Sequence, residues 1–295
     1  MRYSADVDRD GRDTQARSRR RDTQRWWRSR EPHSNDDGIG GLADDEQRQL
    51  LADVGHELKS PLSIMLALCG RLEDSGRLDG QDADDVARIR ANAYRMLRRV
   101  QDLMLMSRLE TADLQLEAAV VDVAAIVRGC VEGFGSIAEQ RKLQLTLAAP
   151  ERLPAVVDDE KLVSVVSNLV ANAIRHAPPG GIVRVSLSAA SAGLQLEVAD
   201  NGPGVSPETR ERIFDRYLRG RTPNGTGLGL AIVREIAHLH GGDVSVGDAP
   251  EGGALFRMVL PLRPQRATSV RTVRSLGIAD RQKALVEELR AELAL

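Results

Sequence analysis

Two stretches of this chain repeat apolar residues at alternating three- and four-residue steps, and that spacing admits little besides paired amphipathic helices. The first runs from about Ala43 to Asp74 and carries Leu51, Val54, Leu58, Pro61, Met65, Leu68 and Leu72 on one stripe. Ser75-Gly76 stops it, and a short turn leads through Gly80 to the second stretch, with Val86, Ile89, Ala93, Met96, Val100, Leu103 and Ser107. Two helices of about thirty residues joined by so short a turn make an antiparallel hairpin. With the two stripes facing each other, Leu62, Leu97 and Met104 remain uncovered. A second hairpin covers them, so a homodimeric four-helix bundle is expected.

His56 interrupts the first helix off its apolar stripe, in the sequence His56-Glu-Leu-Lys-Ser-Pro-Leu62. Pro61 follows five residues later; its missing N–H leaves the Glu57 carbonyl without a helical partner and predicts a bend just below the imidazole. Ser60, four residues on from His56, shares its face.

The remainder reads as flanking segments around an α+β domain. Residues 1–42 hold ten arginines among Asp, Ser, Gln and Gly without apolar periodicity, which predicts disorder. Trp26-Trp27 between Arg25 and Arg28 is an incidental pair in a solvated tail, with a peripheral membrane contact as the less favoured reading. The hairpin occupies 43–110 and a linker 111–121, where Leu114 to Glu117 alternate briefly like an edge strand. From 122 to 263 the pattern predicts a helix over Val123–Gln140, a strand over Leu143–Leu147 and a helix over Asp158–His176. A strand hairpin over Ile182–Leu187 and Leu194–Val198 and a last strand over Ala254–Leu260 complete it. Residues 264–295 are a basic linker and an amphipathic segment with Leu285, Leu289 and Leu293 on one stripe, expected to pack on the rest of the chain because it is too short to be stable alone.

Aromatic residues make up only 3% of the chain, so its cores must be built from Leu, Val, Ala and Ile. A net charge of −2 gives no pull toward nucleic acid. The two cysteines, Cys69 and Cys130, lack metal-ligand spacing. No apolar run of about 18 residues and no signal-peptide core occur, and a soluble cytoplasmic protein is expected.

Four further motifs share the α+β domain. Asn168-Leu-Val-Ala-Asn172 puts two amides one turn apart on a helix, continued by Arg175 and His176. Asp200-Asn-Gly-Pro-Gly204 follows a strand, with Gly202 and Gly204 letting the backbone approach a ligand. Phe214 and Tyr217 come next. Gly225-Thr226-Gly227-Leu228-Gly229-Leu230 then opens a helix, the usual way to aim a glycine-rich turn and a helix N-terminus at phosphates. No Walker lysine is present and no βαβ unit precedes it. His238 and His240, before Gly241-Gly242, read as residues capping the end of that helix.

The segment around His56 closely resembles the phosphoacceptor box of sensor histidine kinases, H-E-x-[RK]-[ST]-P-[LI]. The four later motifs, in their order, resemble the boxes of that family's ATP-binding domain. The resemblance covers about Leu50 to Pro261 and implies a dimeric helical hairpin followed by a two-layer α+β sandwich of the GHKL (Bergerat) type, shared with gyrase, Hsp90 and MutL. It implies ATP and Mg²⁺ as cofactors, with Asn172 a magnesium ligand through an uncharged oxygen and Asn168 supporting that face. Arg175 then neutralises phosphate, His176 lies close to the nucleotide, and Asp200 accepts the adenine amino proton. Gly225, Gly227 and Gly229 border the triphosphate beneath a lid of residues 218–224. His56 is the nucleophile and Glu57 its proton acceptor, although successive helical residues diverge by roughly 100° and the glutamate must curl round to reach it. Ser60 stands where the family often carries a Thr or Asn that positions water for dephosphorylating its partner. That partner is the receiver domain of a separate response regulator. Two rival classes are a serine kinase of the anti-sigma type, which normally lacks a His56-type helix, and a non-catalytic dimeric scaffold, which has no need of Asn172, Asp200 and Gly227 together.

Overall fold

The computed structural model describes residues 40–110, 116–190, 193–216, 218, 227–262, 285–287 and 289–290, with side chains in the helical hairpin described from Glu57 to Leu105. The Arg-rich tail with Trp26-Trp27, the Leu114–Gln115 part of the short alternation, Ser191-Ala192, Tyr217, Gly225, Thr226 and nearly all of the lid lie outside the described residues.

Helix α1 spans Gly40–Asp74 and runs without interruption through Pro61. It stops where Gly76 takes φ +63°, a conformation open to glycine, after the Ser75 amide has closed onto the Arg71 carbonyl at 3.1 Å. Helix α2, Gly80–Glu110, returns beside it. Leu62 of α1 packs with Ala93 and Leu97 of α2, and Arg90 of α2 pairs with Glu73 near the turn, which fixes the antiparallel sense.

The seam between these helices follows the expected stripe only in part: on α2 it keeps Val86 and Ala93, and elsewhere it shifts by one position. Leu62 is 4% exposed, with Cys69, Val86, Ala93 and Leu97 also buried, whereas Met65 is 48% and Met96 53% exposed, and Leu58, Leu68, Leu72, Ile89 and Leu103 lie open beside them. Leu62, Cys69 and Leu97 each lie one position past a residue of the expected stripe, so the apolar arc has two edges and the pattern does not tell which edge meets the sibling helix. Leu62 and Leu97, expected to be uncovered, join Ala93 in the seam.

The α+β domain begins earlier than the pattern indicated. Strand β1, Ala119–Asp122, pairs antiparallel with β3, Pro154–Val157, in a two-stranded sheet. Asp122 then caps α3, Val123–Gly133, accepting from the amides of Ala124 and Ala125, and binds the Leu153 amide with the same oxygen. The single helix expected over Val123–Gln140 breaks at Phe134, and α4 continues as Gly135–Gln140. Helix α5 spans Asp159–His176, capped by Asp158.

Strands β2 (Gln144–Ala148), β4 (Ile182–Ala190), β5 (Gly193–Asp200), β6 (Asp243–Asp248) and β7 (Ala254–Leu260) form a sheet in the order β2-β4-β5-β7-β6, parallel only between β2 and β4. Helices α3, α5 and α6, the last spanning Gly229–Leu239, cover one face. Along β5 and β7 the core side chains are Leu194, Leu196 and Val198 opposite Leu260, Met258 and Phe256, and the alternate positions carry the cross-strand pair Glu197 and Arg257, 2.6 Å apart. Strand β6 was not anticipated, nor were β1 and β3.

His240, just past α6, is a buried tie. Its Nε2 accepts from the Asp158 amide at 3.1 Å, so its Nδ1 carries the proton and donates to the Ile236 carbonyl at 2.8 Å. The neutral ring joins the end of α6 to the start of α5. Cys69 and Cys130 are both buried and free. Burial pushes the Cys130 thiol up to about 12, only partly offset by Ser167, and leaves it unreactive. Leu285, Val286 and Leu289 of the C-terminal segment join the same core as α3, α5 and the sheet.

Candidate functional site

The candidate site is assembled around the C-terminal half of α5. Asn168 and Asn172 lie one turn apart, the first buried and the second half-buried. Asn168 is held from two sides: its Nδ2 donates to the Ser164 carbonyl and its Oδ1 accepts from Arg98 of α2, both at 2.9 Å. Arg175 and His176 close the helix, half-buried. Arg141 fixes that end by donating to the carbonyls of Ile174 at 2.6 Å and Ala177 at 3.1 Å.

Three glycine-bearing segments converge on this helix. A Cβ on Gly202 would stand 2.5 Å from the His176 carbonyl oxygen, one on Gly229 would stand 2.9 Å from Asn168 Oδ1, and one on Gly253 would collide with the Asp200 carbonyl. The loop after β5, the start of α6 and the turn before β7 therefore all abut α5 or Asp200, and close approach demands glycine there. Gly204 and Gly227 have φ of +71° and +69°. Helix α6 begins at Gly229 with no side-chain cap at Leu228, which is buried beside a half-buried Leu230. A helix N-terminus of this kind suits an anion.

Asp200 is the most telling group. It is 2% exposed; its Oδ1 accepts from the Gly202 amide at 2.8 Å and the Ala254 amide at 3.5 Å, while its buried Oδ2 has no partner among the described residues. Burial pushes its carboxyl above the usual range, against the pull of the Gly202 and Ala254 amides. An unsatisfied buried acceptor is costly, and it fits a donor arriving from outside the chain.

Phe214, expected beside the nucleotide, sits in the core: it meets Phe256 edge-on with centroids 6.3 Å apart, and the Arg234 guanidinium lies 6.0 Å from its ring centre. The ring anchors the stretch leading toward the glycine-rich turn. Glu57 and Ser60 are exposed on α1; the His56 side chain lies outside the described residues, although its backbone is helical. Sequence reading missed Arg98, Gly253 and Arg141. Nothing local marks Arg98 among the many arginines of α2.

The geometry suits a nucleotide. Asn172 offers an uncharged oxygen, Asp200 an unmet acceptor and Gly227–Leu230 a glycine-rich approach to a helix start. No cluster of three or more His, Cys, Asp or Glu able to hold a metal occurs among the described residues, and a magnesium bound through nucleotide phosphates requires none.

Comparison with known proteins gives two family matches: the His Kinase A (phospho-acceptor) domain over residues 46–112, and the histidine kinase-, DNA gyrase B- and HSP90-like ATPase over residues 157–264. Among curated proteins, the sensor histidine kinase TmoS of Ectopseudomonas mendocina is 36% identical over 230 residues, 74% of this chain and 23% of TmoS. The sensor-like histidine kinase SenX3 of Mycobacterium tuberculosis is 34% identical over 224 residues, 73% of this chain and 54% of SenX3. The chain thus spans about a quarter of the length of TmoS and about half that of SenX3. The full-length crystal structure of ShkA in complex with AMPPNP superposes with a TM-score of 0.61 at 30% identity, over 77% of this chain and 48% of that one. The hairpin, the α+β sandwich and these matches agree: the chain belongs to the sensor histidine kinase family.

Proposed function

We propose that this chain is an ATP-dependent protein histidine kinase that phosphorylates His56 and passes the phosphoryl group to an aspartate in the receiver domain of a separate response regulator. The observation that carries the reading is the unmet buried oxygen of Asp200 beside the glycine-lined end of α5, in the same chain as the His56 box. An adenine amino group supplies the missing donor. Asn168, Asn172, Arg175, His176, Gly202, Gly204 and the Gly225–Leu230 turn, with Thr226 and Leu228, then surround the rest of the nucleotide.

Phosphoryl transfer asks for an in-line nucleophile, positioning and charge neutralisation. A bond forms between an imidazole nitrogen of His56 and the γ-phosphorus as the bond from phosphorus to the β,γ-bridging oxygen breaks, and ADP departs with that electron pair. Glu57 accepts the imidazole proton. Asn172 would hold a magnesium ion through its uncharged oxygen, and that ion would supply charge neutralisation for the triphosphate. Ser60, on the His56 face, is the candidate for orienting water in the reverse, phosphatase direction.

The open apolar face of Leu58, Met65, Leu68, Leu72, Ile89, Met96 and Leu103 supports a homodimer, since a second hairpin covers it. Among the described residues no helix is long and apolar enough to cross a membrane. We place the reaction in the cytoplasm, where ATP is supplied. Incubation with γ-labelled ATP and Mg²⁺ tests the assignment: the label should be acid-labile and alkali-stable and should pass to a receiver domain. Acid-stable label would show a serine kinase instead.

A further inference from the structure

The C-terminal segment lies beyond both family matches, yet it is built into the core. Leu289 is 0% exposed, and Leu285 and Val286 are buried with it. Its polar side chains reach in two directions. Glu287, 8% exposed, pairs with Arg90 of α2 at 3.5 Å, and Arg90 also pairs with Glu73 of α1, so one carboxylate of the segment is tied into both helices of the hairpin. Arg290 donates to Ser136 Oγ of α4 at 3.0 Å and to Glu287 Oε1 at 3.0 Å. A carboxylate buried to this degree is tolerated because two guanidinium groups face it.

We propose that Leu285–Arg290 is an intramolecular strap that holds the ATP-binding domain against the hairpin and restrains phosphoryl transfer; this rests on the kinase reading above. A second bridge shows where the strap holds it. Arg98 of α2 donates to Asn168 of the nucleotide helix and pairs with Asp102, both α2 residues being buried. Arg98 follows Leu97, which packs on Leu62 of α1. His56 lies six residues before Leu62, roughly 9 Å further along α1 at 1.5 Å per residue. The nucleotide helix is thus moored at the level of Leu62. To bring a γ-phosphate to a His56 it must leave Arg98 and travel along the hairpin, and the Glu287 ion pair and the buried Leu289 oppose that movement. The strap sets the resting rate of the kinase, and a partner that peels it off activates the enzyme.

The test uses the full chain carrying Glu287→Lys, which sets a cation against Arg90 and Arg290, with Glu287→Gln as the milder case. Autophosphorylation should rise about fivefold or more in the lysine variant, the scale on which loss of one such contact shifts an equilibrium. Nucleotide affinity should stay unchanged, and hydrogen exchange should speed up around Arg98 and Asn168. A chain ending at Leu262 should be faster still, and a peptide of residues 279–295 added in trans should slow it again. If that truncation does not fold, the point variants carry the test alone. Unchanged or slower labelling of Glu287→Lys, or undiminished protection around Arg98 and Asn168, overturns the strap. Absence of acid-labile label from wild type and variant alike overturns the kinase reading instead, and the exchange measurement still decides the strap.

Discussion

Asp200→Asn puts the nucleotide site to its sharpest test, because the carboxylate has one satisfied and one unsatisfied oxygen. Asparagine keeps an oxygen toward the Gly202 and Ala254 amides, and that choice forces its Nδ2 into the place of the unpaired Oδ2. A donor then faces the adenine amino donor. Losing a charge-assisted hydrogen bond costs about 1.5–3 kcal/mol, and burying an unmatched donor about 1–3 kcal/mol more. At about 1.4 kcal/mol per decade, ATP affinity should fall roughly 10²- to 10⁴-fold. The new donor matches a guanine carbonyl, so preference for ATP over GTP should shrink with it. Folding should move the other way. Burial raises the Asp200 carboxyl, so its charge costs the empty domain stability once pH rises through the raised value, and that domain is relatively more stable on the acid side. Removing the charge should leave the melting temperature of the empty protein unchanged or higher while abolishing its rise with ATP. For the same reason wild-type ATP binding should weaken as pH falls through a value above the ordinary aspartate range. Titration of a fluorescent ATP analogue in a His56→Gln background measures affinity without turnover. Affinity within threefold of wild type and intact discrimination against GTP would refute the role given to Asp200.

His56→Gln should abolish label incorporation while leaving nucleotide affinity intact, because the nucleophile and the nucleotide pocket lie on different elements; label at the wild-type level removes His56 from the mechanism. Asn172→Ala should lose the magnesium dependence of nucleotide binding, read by titration with and without chelator, since one uncharged oxygen ligand disappears. Met96→Asp places a carboxylate on the open apolar face and should dissociate the dimer. Light scattering after size exclusion checks it, and a variant that stays dimeric shows that this face is not the dimer interface.

What could be read without coordinates follows from the range of the forces involved. Asp122 and Asp158 cap helices whose starts they mark, Gly76 ends α1, and Ile182 and Ala254 open strands with alternating burial; these are signals carried within a few residues. Strands β1 and β3 were lost because four residues become a strand only through a partner distant in sequence, as Ala119 does opposite Val157. The glycines of the candidate site could be found as motifs, but the reason for Gly253 is the Asp200 carbonyl more than fifty residues away. Phe214 followed the motif order and yet sits in the core, because an aromatic ring next to an exposed loop has more to gain from Phe256 than from solvent. The choice between Leu62 and Met65 as seam residue depends on which neighbour arrives, and no spacing encodes that.

The same ambiguity shows how α2 works. Met96, Leu97 and Arg98 are consecutive, and successive helical residues point about 100° apart, so three neighbours divide the circumference of the helix among three surfaces. Met96 is on the open apolar face, Leu97 packs against α1, and Arg98 holds the nucleotide helix through Asn168. Whatever covers Met96 therefore acts on a helix whose other faces are already engaged. A small rotation of α2 toward a new neighbour cannot be confined to that face, because the backbone carrying Met96 also carries Arg98. Pairing of hairpins and mooring of the ATP-binding domain are two loads on one rigid element, and a charge placed at Met96 should loosen the Arg98–Asn168 bridge as well as the dimer. No chain of intermediate side chains is required for that coupling: the helix itself joins the two surfaces.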